Sequence, residues 1–201
     1  IKVIYNPLNL TPIKKKRKKD KIKNKKKYKL NLLTVGRLEK QKNLTCLLKA
    51  LSIVKHKINF HLNIVGDGSE LKNLINLTKK LELSKNVTFV GKVIDPRKFY
   101  ESADIFILSS NYEGFGNVII EALAFNCKVI SSDCPSGPKE ILENGKWGKL
   151  FPVNNHQRLA NLIIDISQKK IFQNLSIRAQ EFSIQKIGFE YKKMFDEVLK
   201  K

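Results

Sequence analysis

A glycine turn flanked by two carboxylates constrains this chain more than any other stretch. It reads Glu113-Gly-Phe-Gly-Asn-Val-Ile-Ile-Glu121, with the glutamates eight residues apart. An apolar strand pattern, Asp104-Ile-Phe-Ile-Leu-Ser-Ser110, leads in, and an apolar helix pattern from Val118 to Phe125 leads out. Strand, glycine turn and helix in that order aim unbonded backbone N–H groups at an anion. Glycine at 114 and 116 lets the backbone approach a ligand with no Cβ between them. Glu113 falls in the turn and Glu121 about one turn into the helix, so both can face one ligand. The same residues also suit an ordinary βα turn with two solvated glutamates, and Gly-x-Gly alone does not separate the two readings.

The alternation continues through the chain. Strand patterns at Leu30–Val35, Asn59–Val65, Asn86–Gly91, Lys128–Ser132 and Lys149–Phe151 are interleaved with helix patterns at Leu44–Lys55, Glu70–Leu81, Asp95–Ser102 and Lys139–Leu142. This order predicts an α/β fold, a Rossmann-like parallel sheet with helices on both faces and ligands at the strand C-terminal ends. Arg37, Gly66, Gly91 and Glu113 all fall at such ends. Ile1 to Asn9 reads as a short strand ended by Pro7. Ser69 is a candidate N-cap, Asn126 a left-handed C-cap, and Asn144–Gly148 a hairpin-like turn. From Asn154 onward the pattern is helical, with later helices expected at Ile171–Phe182 and Phe189–Leu199. The expected divisions are 1–10 as a linker segment, 11–29 as a polybasic loop, 30–182 as the sheet domain and 183–201 as a C-terminal helix.

At 201 residues, one domain with a real core is expected. No apolar run approaches 18 residues, and the first residues carry no signal-peptide pattern. Cys46, Cys127 and Cys134 are an odd set without Cys-x-x-Cys spacing. That argues against a disulfide framework or a zinc site and suits a reducing cytosol. His56 and His61 are a poor metal pair, so no metal ligands are assigned. The formal charge is +21, of which residues 14–29 supply +11 through twelve Lys or Arg and one Asp. Such blocks are often interaction tails. Only five of the 39 cations are Arg, and only Tyr28 interleaves within the block. Base reading favours Arg and stacking groups, so no specific nucleic acid is expected. An anionic membrane surface, reached from the cytoplasmic side, or plain solvation remains.

Two cations follow the first strand in Gly36-Arg-Leu-Glu-Lys-Gln-Lys42. Cations at a helix start oppose the helix dipole. A bound diphosphate would compensate, gripped in a bidentate manner by Arg37 and as a point charge by Lys42. From charge alone, two surface cations in a Lys-rich protein are as good a reading.

The run Ser109 to Ala124, followed by Val129 to Leu142, resembles the donor-binding half of family 4 retaining glycosyltransferases, whose Glu-x7-Glu is matched by Glu113 and Glu121. The resemblance spans about Val3 to Phe151 and implies one half of a two-domain GT-B fold. It implies that Gly36, Arg37 and Lys42 belong to a diphosphate clamp, and that Gly66 and Gly68 line the next turn. Lys92 and Val93 would support the nucleobase. Gly114, Phe115, Gly116, Asn117 and Val118 would offer amides to phosphate and sugar, with Glu113 on sugar hydroxyls and Glu121 on the ribose. The donor would be a nucleotide-diphosphate sugar, most simply a UDP-sugar, with no separate cofactor. The acceptor would be a glycan or lipid-linked sugar, as in bacterial surface-polysaccharide or lipopolysaccharide synthesis. Chain departures include Ser69 and Lys128 where the family usually has Pro, and Asn126 for its usual Gly. Ile1 is not an initiator position, and Val3-Ile-Tyr-Asn-Pro7 resembles the exit from an N-terminal acceptor domain. The expectation is therefore a fragment that binds donor without transferring it. The terminal helix would brace that missing domain, leaving Phe189, Met194, Phe195 and Leu199 partly without partners.

Two rivals remain. One is a sugar-nucleotide epimerase or a phosphorylase on a related fold; an epimerase would change the free sugar nucleotide without acceptor. A nucleic-acid module would depend on residues 14–29. Each Lys or Arg contributes about 1 kcal/mol near an anionic bilayer, screened over about 8 Å in physiological salt. Sedimentation with anionic vesicles should therefore show salt-sensitive binding that falls when 14–29 is deleted. Unchanged binding after deletion leaves that segment as a solvated insertion.

Overall fold

The computed structural model describes residues 3–10, 30–168 and 174–199. The polybasic segment and the start of the helix expected from Ile171 lie outside these residues. Six parallel strands form one sheet: β1 (Leu30–Val35), β2 (Phe60–Val65), β3 (Val87–Gly91), β4 (Ile105–Leu108), β5 (Lys128–Ser132) and β6 (Lys149–Phe151). Their order is β3-β2-β1-β4-β5-β6, with every neighbouring pair parallel. This is a doubly wound order in which the chain reverses its direction of travel between β1 and β4. In open α/β sheets ligands bind outside the strand ends at such a switch point.

The strand period of two builds a core on each face. Leu32, Ile105, Ile107 and Ile130 point to one side, beneath α1 (Leu44–Val54), α2 (Leu71–Lys80) and α6 (His156–Gln168). Leu33, Phe106, Leu108 and Val129 point to the other, beneath α3 (Arg97–Ser102), α4 (Asn117–Ala124), α5 (Pro138–Ile141) and α7 (Ser176–Gln180). In α1, Leu44, Leu47, Leu48, Leu51 and Val54 keep helical spacing and are all buried. The chain turns out of α4 near the expected place, with Phe125 as C-cap and Asn126 left-handed at φ 57°, while Cys127 N–H donates to the Ala122 carbonyl at 2.9 Å.

Three local expectations are corrected. The first residues form no strand among those described. Leu8 alone makes a bridge, donating to Phe182 O and accepting from Ile184 N–H. Pro7 beside it has no N–H to extend the ladder. Ser69 does not cap α2; its hydroxyl and amide both donate to the Glu39 carboxylate, at 2.8 and 3.2 Å. The turn after α5 is a 3-10 turn at Glu143–Gly145 and not a hairpin, because β5 and β6 are parallel.

The last helix, α8 (Ile184–Leu199), buries only Ile187. Phe189, Phe195 and Leu199 are exposed, as expected, and Met194 is half-buried. Among the described residues, no helix is long and apolar enough to cross a membrane.

Candidate active site

The crevice at the switch between β1 and β4 brings together residues 71 apart in sequence. After β1 the chain passes Gly36 and the exposed Arg37, then makes a 3-10 turn at Lys40–Lys42. The Lys42 ammonium reaches across and donates to both carboxylate oxygens of Glu113, at 2.7 and 3.0 Å. The two side chains are 16% and 7% exposed, so the pair is largely withdrawn from water.

Buried serines hold both partners. Ser110 donates to Glu113 Oε1 at 2.5 Å, and Ser109 donates to the Lys42 carbonyl at 2.9 Å. Ser132, at the end of β5, donates to the Ser110 carbonyl at 2.6 Å. Serine suits these positions because its short hydroxyl lets a strand end carry a donor inside a packed layer. Amide side chains lace the two loops above this layer. Asn43 donates to Asn111 and Asn154, and Gln41 donates to the Tyr112 carbonyl. Asn43 also accepts from Cys46 N–H and so caps α1.

The glycine turn is supported from behind. Phe115 stacks on Tyr5 with centroids 5.1 Å apart and meets Phe182 edge-on. A Cβ on Gly137 would lie 1.7 Å from the Phe115 carbonyl oxygen, and its φ is +80°. Only glycine fits there. Gly116 adopts φ +95° and starts α4, while a Cβ at Gly114 would meet only open space. Asn117 and Val118 form the first turn of α4, where amides lack intrahelical acceptors and the helix dipole favours an anion. Glu121, further along α4, accepts from the Tyr100 hydroxyl at 2.8 Å.

The other expected residues sit in the neighbouring loops. A Cβ on Gly66 would strike the Gly36 carbonyl at 1.9 Å, and one on Gly68 the Leu38 carbonyl at 2.6 Å. These glycines let one loop close on the next. Lys92, exposed, and Val93, half-buried, follow β3 at the sheet edge, with β2 between them and the switch strands. An open cleft of ≈ 710 Å³ lies beside the end of β5, lined by Tyr5, Asp133, Glu140 and Arg178 among others, and by Pro135 and Gly137, which touch the glycine turn. Ser110 and Tyr100 were missed by sequence reading. A polar residue ending an otherwise apolar strand was the available signal for Ser110; Tyr100 gave none.

The family model for glycosyl transferases group 1 matches residues 14–182. This chain belongs to the group 1 glycosyl transferases. It is 34% identical over 191 residues to a Campylobacter jejuni N-acetylgalactosamine-N,N'-diacetylbacillosaminyl-diphospho-undecaprenol 4-alpha-N-acetylgalactosaminyltransferase, covering 92% of this chain and 51% of the relative. A glycosyltransferase of Rickettsia africae superposes with a TM-score of 0.80 at 27% identity, over 100% of this chain and 57% of that one. The pneumococcal O-GlcNAc transferase GtfA, solved with UDP and GlcNAc, gives 0.75 at 25% identity, over 85% and 36%. The chain spans about half the length of the curated relatives it matches. Its sheet corresponds to one Rossmann-like half of the GT-B glycosyltransferase fold.

Within this group 1 chain, the turn geometry predicts opposite outcomes for two neighbouring glycines. Gly137→Ala should lower stability by at least about 1–3 kcal/mol, because it combines a disfavoured φ with a backbone clash. Gly114→Ala should be close to neutral. Urea unfolding midpoints of the two variants check this, and equal midpoints would contradict the described turn.

Proposed function

We propose that this chain is the donor-binding half of a retaining glycosyltransferase of the family 4 type, using a nucleotide-diphosphate sugar. The observation that carries the reading is the meeting of Lys42 and Glu113 above the β1–β4 switch, beside the first turn of α4. Ligands of open α/β sheets bind in such crevices. A similar structure was solved with UDP and GlcNAc, which supports a UDP-sugar donor. The Campylobacter relative's name describes transfer to an undecaprenol-linked acceptor, which supports a lipid-linked acceptor.

In the transfer, the bond from the sugar's anomeric carbon to the diphosphate oxygen breaks. A bond to the acceptor oxygen forms, the acceptor hydroxyl passes its proton to the departing diphosphate oxygen, and the anomeric configuration is kept. Negative charge grows on the departing diphosphate. Arg37 and Lys42 stabilise it, helped by the amides of Asn117 and Val118. Lys42 has three N–H donors and gives two to Glu113, so the third is free to meet a phosphate oxygen without breaking the pair. Glu113 then accepts from a sugar hydroxyl at the site left on Oε2, since Lys42 and Ser110 take the others, and Glu121 accepts from the ribose. Among the described residues, no three His, Cys, Asp or Glu side chains cluster as metal ligands. The cations are assigned the role of charge neutraliser.

Arg37→Ala should weaken UDP binding about tenfold or more, as loss of a charge-assisted hydrogen bond does. Chelator should leave wild-type binding unchanged. Calorimetry measures both. Binding abolished by chelator but indifferent to Arg37→Ala would sink the clamp assignment.

A further inference from the structure

The geometry points to Tyr100 as a positioning residue for Glu121: its buried hydroxyl fixes the carboxylate in the orientation that receives a vicinal diol. This rests on the assignment of Glu121 to the ribose made above. Tyr100 comes from α3, an element otherwise outside the site, and is 1% exposed. Its ring is locked by stacking on Phe125, with centroids 5.6 Å apart, and by Phe106 at 5.8 Å. Cys127 Sγ–H donates to the Tyr100 carbonyl at 3.0 Å and holds the backbone from the other side. The hydroxyl therefore arrives at Glu121 Oε2 from a fixed direction, at 2.8 Å. Burial, reinforced by the Glu121 charge, raises the phenol well above its ordinary range, so it stays a donor across working pH.

Packing does not require this hydroxyl, since Phe would fill the same space. What the hydroxyl adds is restraint of a flexible side chain. A carboxylate has about four lone-pair sites, and Tyr100 occupies one of them on Oε2. Acceptor capacity on both oxygens remains for two adjacent hydroxyls. Fixing Glu121 before the ligand arrives removes part of the ordering cost of binding. The α3–α4 contact thus reaches the site through one hydrogen bond.

The test is calorimetric titration of the full chain and of Tyr100→Phe with UDP and with 2′,3′-dideoxy-UDP. Tyr100→Phe should weaken UDP binding on the order of fivefold, less than the loss of a charged hydrogen bond to the ligand itself because the hydroxyl acts through Glu121, and leave dideoxy-UDP binding unchanged. In a Glu121→Gln background the same substitution should have little further effect. Equal losses on both nucleotides, no loss on UDP, or tighter UDP binding would each overturn the role of Tyr100. Thermal unfolding of the variants separates these results from a general loss of structure. If Glu121→Gln itself leaves the preference for UDP over dideoxy-UDP intact, the ribose assignment fails, and the positioning role falls with it.

Discussion

The ion pair between Lys42 and Glu113 is the constraint on which the site depends. It joins the loop after β1 to the loop after β4, the two strands where the winding reverses. Withdrawn from water, such a pair is costly to leave half-made; removing one partner of a buried pair typically costs about 3–5 kcal/mol. The surroundings meet that demand. Ser110 satisfies a further carboxylate site, and Ser109 fixes the backbone that carries Lys42. The pair also keeps Lys42 beside an anion while no donor is bound. A diphosphate then enters a site whose cation is already in place.

The rest of the fold serves to hold the two loops still. Alternate residues of β1, β4 and β5 feed separate cores on the two faces, so neither loop can shift without moving packed side chains. The Asn43, Asn111 and Asn154 amides close the gap at the surface. Phe115, wedged between Tyr5 and Phe182, ties the glycine turn to the segment preceding the sheet and to the end of α7. Gly137 lets the β5 loop close behind it. α8 stands apart, with an apolar face largely in solvent.

Much of this was legible because it is local. Strand and helix periods placed β5 and β6 at the observed residues, and Asn126 announced the end of α4. The crevice was legible too, since Arg37 and Glu113 each follow an apolar run. What was not legible depends on partners distant in sequence. Lys42 and Glu113 were expected to face a ligand, and their contact with each other has no local signature. Ser69 has the composition of an N-cap, but Glu39 lies within reach and takes its donors. Asn144-Gly145 has the composition of a hairpin, but the parallel sheet decides otherwise. Gly66 and Gly68 fit a turn by composition, but the close carbonyls of Gly36 and Leu38 that require glycine there have no local signature.

The most direct test of this account is a crystal structure of the chain with UDP bound. A phosphate oxygen should lie within hydrogen-bond distance of Lys42 Nζ, with Lys42 still donating to Glu113 and the pyrophosphate at the first turn of α4. UDP bound instead in the cleft lined by Tyr5, Glu140 and Arg178, or at the switch point with Lys42 out of reach of any phosphate, would contradict it.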